Sequence, residues 1–219
     1  MKKGFEIAAD LTEVAVKSQL FTGIAKDIPY VSTLLKVWNV SDSIRDCMFA
    51  AKVMRFLESL DDVTGEEREE MSDKIKYLNQ EDLDNVTNKI LFSIESITDI
   101  DKSEFIANIF IAYIYKEISE KDLRRCIDII QVTFLDDLKV LIVTPFLKDK
   151  SITDMEFEAV GLPQLKTTQL FSPYVSQGPG FKSNTHKLRN MQTYVPATIT
   201  VKFIEAFNFG KSFRQSEFT

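Results

Sequence analysis

The sequence predicts a mainly α-helical protein: a multi-helix bundle over residues 1–150, followed by a small α/β element over residues 151–219. Three observations carry this reading. Between Tyr30 and Thr144 the chain contains one glycine, Gly65, and no proline. Nine of its thirteen Gly and Pro residues lie from Pro145 onward, at Pro145, Gly161, Pro163, Pro173, Gly178, Pro179, Gly180, Pro196 and Gly210. These two residue types are the strongest local breakers of regular backbone, so their absence leaves room for long helices and their return marks a change of texture. Finally, apolar residues in the first part recur at three- and four-residue intervals, the period of a helix face.

Taken in order, residues 5–27 alternate apolar and charged positions with a helical period and end at Asp27-Ile28-Pro29. An apolar stretch, Tyr30 to Val40, holds the only tryptophan, Trp38. Ser41 reads as the N-cap of a helix reaching Leu60, with Ile44, Met48, Ala51, Met54 and Leu57 as its apolar face. Asp61 to Glu70 holds six carboxylates and one arginine. Within it Thr64-Gly65-Glu66-Glu67 has capping-box spacing, and its charges favour the positive end of a helix dipole, so it opens a helix rather than forming a site. Another helix is expected from Glu81 to Ile97.

Phe105, Ile106, Ile109, Phe110, Tyr113 and Ile114 then form a face too wide for a surface helix, which makes Asp99–Ile118 the expected central helix. Ser119, with Asp122 three residues on, caps the next one, whose apolar positions are Leu123, Ile127, Ile130 and Phe134. A last body helix spans Asp136 to Thr144 before Pro145. In the tail, Thr153–Val160 reads as helix, Leu165–Val175 and Met191–Ala197 as strands around a polar loop Ser176–Asn190, and Thr198–Phe207 as helix. Helix, strand, loop, strand, helix is the order of a winged-helix-like module.

Charge is unevenly placed. Of the net −6, residues 151–219 carry seven Lys/Arg against five Asp/Glu, or +2, leaving −8 for residues 1–150. An acidic body repels nucleic acid and anionic lipid, so a polyanion could be met only by the tail. Glu6, Asp10 and Glu13 interrupt what would be the apolar part of a secretory signal, and no apolar run reaches the ~18–20 residues of a membrane span. Two cysteines, Cys47 and Cys126, make neither a disulfide framework nor metal spacing, which fits a reduced cytoplasmic setting.

Motifs of known chemistry fail on inspection. Asp99-Ile100-Asp101-Lys102-Ser103 begins like a calcium loop, but the required turn glycine and distal glutamate are Glu104 and Phe110; Asp101 or Ser103 as a helix cap accounts for the run. The single histidine, His186, has no nucleophile context and sits in the most polar loop. Gly178-Pro179-Gly180 lacks phosphate-loop spacing, and its proline removes a backbone donor. Asp136-Asp137 is the one adjacent carboxylate pair, read as capping the helix that follows. No cofactor or metal is implied.

One basic cluster remains: Phe181, Lys182, His186, Lys187 and Arg189. On a wing these would meet phosphates. The helix that would enter a groove carries Asp154, Glu156 and Glu158 and no base, which opposes that docking. Residues 28–40, with Lys36 and Trp38, have the apolar character of an interfacial segment but lack its basic polar face, so core packing is the expected role.

Asp27-Ile28-Pro29, Ser43-Ile44-Arg45-Asp46, Arg55-Phe56-Leu57, and Phe110-x-x-Tyr113-Ile114 ahead of Ile118-Ser119 resemble an uncharacterised family of bacterial helical proteins. The ending Tyr194–Phe207 is similar to the winged-helix-like tails of abortive-infection-associated helical proteins. The resemblance implies a bacterial or phage defence setting and carries over no catalytic residue. The expected function is therefore a non-enzymatic cytoplasmic interaction or regulatory protein, acting through a protein partner or self-association. Two alternatives stay open: a nucleic-acid-binding regulator using the basic C-terminal loop, and a membrane-active effector using residues 28–40. A carboxylate site assembled from separate helices would leave no linear trace.

Overall fold

The computed structural model describes residue 28 and residues 44–144, 152–159, 170–174 and 193–214. The expected helix over 5–27, nearly all of the 28–40 segment and the basic loop lie outside these residues. The described chain is mainly helical with a small antiparallel sheet of three strands.

Helix α1 (Ile44–Asp61) is followed by α2 (Gly65–Lys76), α3 (Gln80–Ser96), α4 (Lys102–Ile114), α5 (Glu120–Val132) and α6 (Leu135–Val143). Local chemistry starts three of them. Thr64 accepts from the Glu67 N–H while the Glu67 carboxylate accepts from the Thr64 N–H, completing the expected capping box. Asn79 accepts from Glu81 and Asp82, and Ser119 from Asp122. Helix α4 starts differently. Asp101 makes no side-chain cap, and the first N–H groups of α4 bond to Asp99, Ile100 and Asp101 carbonyls in a tight turn. Ser103 lies inside the helix and is buried, so neither of the expected caps operates.

Helix α4 is the centre of the molecule, as its wide apolar face requires: every residue from Phe105 to Ile114 is buried. It packs against α1, α5 and the C-terminal helix. The face of α1 differs from expectation. Val53, Phe56, Leu57 and Leu60 point inward while Met48 is exposed, a rotation that brings Phe56 against Phe110 with ring centroids 6.0 Å apart. Phe134 is a second correction. It is exposed and stands at the N-cap of α6, not on the buried face of α5. Asp136 and Asp137 occupy the first turn of α6 rather than its cap.

The tail begins with β1 (Ile152–Thr153), a short strand absent from the sequence expectation, and continues with α7 (Asp154–Ala159), β2 (Phe171–Tyr174), β3 (Thr193–Pro196) and α8 (Thr198–Arg214). Strand order is β1-β3-β2, with Ile152 and Pro173 both opposite Tyr194. Pro173 is tolerated because β2 is an edge strand. The Leu170 carbonyl accepts from both the Ala197 N–H (2.8 Å) and the Thr200 hydroxyl (2.5 Å), fastening the sheet to α8.

Helix α8 runs seven residues past the expected end at Phe207, through Gly210 to Arg214. The reason is contact. A Cβ on Gly210 would lie 2.2 Å from the Asn108 carbonyl oxygen, so this glycine lets α8 press onto the backbone of α4. Phe203, Ile204, Ala206 and Phe207 are buried, with Phe207 4.7 Å from Phe105 between ring centroids. They belong to the same hydrophobic core as α1, α4 and α5.

Candidate functional site

Three helix segments far apart in sequence converge on one polar cluster. Arg55 points from α1, Glu104 from the first turn of α4, and Arg214 from the last residue of α8. Glu104 accepts from both arginines, through Oε2 from Arg55 at 2.6 Å and through Oε1 from Arg214 at 3.3 Å. Arg214 also donates to the Asn108 side-chain oxygen at 3.2 Å and to Asp62 at 3.0 Å. Its side chain is only 10% exposed, so one guanidinium ties the ends of α1, α4 and α8 together largely out of water. Beside it Arg68 of α2 pairs with Asp61, Nε to Oδ1 3.1 Å, and donates to the Asp61 carbonyl at 2.9 Å.

These residues border a cavity of about 370 Å³ lined by Arg55, Glu58, Ser59, Asp61, Asp62 and Arg214. Among the described residues Arg55, Arg68 and Arg214 pair with Asp61, Asp62 and Glu104, and the exposed Glu58 adds a further negative charge. Each of the three carboxylates is held by a guanidinium. The Ser59 hydroxyl donates to the Arg55 carbonyl at 2.7 Å within its own helix. Among the described residues no group of three or more His, Cys, Asp or Glu could hold a metal ion. The arrangement can clamp three helices; it presents no nucleophile–base pair.

The Asp136–Asp137 pair behaves as local electrostatics. Burial pushes the Asp137 carboxyl up, and the neighbouring Asp136 charge adds to it. Cys126 is fully buried, and burial pushes its thiol up to about 12. At neutral pH it is a protonated core residue rather than a nucleophile.

The surface offers a different feature. Lys89 of α3 pairs with Asp128 of α5 at 2.6 Å, and Gln131 of α5 donates to Ser96 of α3 at 2.7 Å. Along that seam Phe92 lies between Lys89 and Ser96, and Val132 directly follows Gln131. Phe92 is 73% exposed, Val132 79% and Phe134 74%. Polar bonds thus fix a framework from which large apolar side chains project into solvent.

The residues singled out from sequence, Phe181, Lys182, His186, Lys187 and Arg189, lie outside the described residues, as does the 28–40 segment apart from Ile28, which is buried. No described helix is long and apolar enough to cross a membrane. The Arg55–Glu104–Arg214 cluster was not anticipated. No linear pattern links positions 55, 104 and 214; Glu104 in a first turn and Arg214 in a last turn each suit the helix dipole, which marks neither as part of a cluster. No family model, curated protein or solved structure matches the chain.

Proposed function

We propose that this protein acts by binding another protein, as a non-enzymatic interaction or regulatory component, and that the α3–α5–α6 edge carrying Phe92, Val132 and Phe134 is the contact surface. The observation that carries the reading is Phe134. A helix N-cap favours Ser, Thr, Asp or Asn, and an apolar residue there forgoes about 1 kcal/mol of capping. Phe134 takes that position with no cap bond and 74% of its surface in water. Val132, two residues away, is likewise exposed, at 79%. Exposed apolar side chains that group together are a mark of protein contact surfaces, where aromatic anchors carry much of the binding energy.

The hairpin of β2 and β3 beside α8 supports a winged-helix-like reading of the tail. Although the tail is net positive, Glu156 and Glu158 are exposed on α7 and would oppose phosphates there, which favours protein docking by that helix.

A photo-crosslinking amino acid at position 134, compared with one at exposed Lys121, tests the proposal in cells of the source organism. A discrete crosslinked protein is expected from position 134, absent from position 121 and lost with Val132→Ser. A product of twice the chain mass would identify the partner as a second copy. No product, or identical products from both positions, would overturn the reading.

A further inference from the structure

We draw no further inference here: the strongest candidate, the cavity at the meeting of α1, α4 and α8 lined by Arg55, Glu58, Ser59, Asp61, Asp62 and Arg214, belongs to the site already described, and its paired arginines and carboxylates specify no class of ligand while the unpaired donors Arg55 Nε, Arg214 Nε and Asn108 Nδ2 are buried away from solvent.

Discussion

Two buried lysines show how the same side chain takes opposite roles. Lys52 of α1 donates to the Glu95 carbonyl at 3.1 Å and to the Ile97 carbonyl, supplying donors that the C-terminal end of α3 lacks. Lys102 is 4% exposed, and among the described residues no hydrogen bond or ion pair holds its ammonium. It also stands in the first turn of α4, where the helix dipole repels a cation. Lys52→Met is therefore expected to destabilise the protein by about 1.5–3 kcal/mol, the scale of a lost charged hydrogen bond. Lys102→Met is expected to stabilise it by at least about 0.3–1 kcal/mol, the dipole contribution alone. Denaturant midpoints of the two variants should move in opposite directions. The pH dependence has a definite sign. Burial lowers the Lys102 pKa below its ordinary 10.5, opposed by Asp99. Between the folded value and 10.5 the unfolded chain binds more protons, so stability rises with pH through that window. The advantage of Lys102→Met should shrink as pH approaches 10.5. Lys116, the one described non-glycine residue with positive φ (63°), closes α4 with bonds from its own N–H to Tyr113 and from Glu117 to Ala112. That position favours glycine, so Lys116→Gly should raise stability by roughly 0.5–1 kcal/mol in the same titrations.

Among the elements, the helix starts were legible where a cap is written in adjacent residues, as at Thr64–Glu67 and Ser119–Asp122. The central place of α4 was legible from the width of its apolar face. Long-range contact decided the rest. Gly210 is a breaker by residue type and lies beyond the expected helix end at Phe207, yet α8 continues through it because the partner backbone of Asn108 leaves room for a hydrogen only. Met48 fits the periodicity of α1, yet packing of Phe56 on Phe110 turns the helix so that Met48 faces out. The clamp formed by Arg55, Glu104 and Arg214 is invisible to any local pattern because each residue belongs to a different helix. The two glycines of the described helices offer a matched test. Gly210→Ala would force α8 away from α4 and should cost about 1–3 kcal/mol or more. Gly65→Ala meets nothing within 4 Å and replaces glycine near the start of α2, so it should be neutral or stabilise by up to about 1 kcal/mol. Equal losses from both would refute the close-approach role of Gly210.

For the molecule as a whole, α8 is the element that joins the small sheet to the helical body. Its buried aromatics share the core of α4 and α5, Arg214 ties its end to α1 and α4, and Lys202 bonds Asp122 of α5 at 2.6 Å. That last bond is the main influence lowering the Asp122 pKa. A depressed carboxylate contributes stability that is fully present above its unfolded value and lost as pH falls through its folded one. Lys202→Met should therefore remove part of the stability seen at neutral pH and flatten the acid limb of the stability curve. Cys126 provides a reporter of the same docking. It is fully buried on α5, its titration is influenced by both Asp122 and Lys202, and its thiol is protonated at neutral pH. Alkylation consequently requires an opening that lifts its cover. If α8 is that cover, Lys202→Met and Arg214→Gln should each accelerate labelling of Cys126 in a Cys47→Ser background at neutral pH. Lys139→Gln, an exposed change on α6, should leave the rate unchanged. Labelling that follows only the global unfolding constant, with no added effect of either α8 substitution beyond its cost in stability, would show that α8 does not detach separately from the rest of the core.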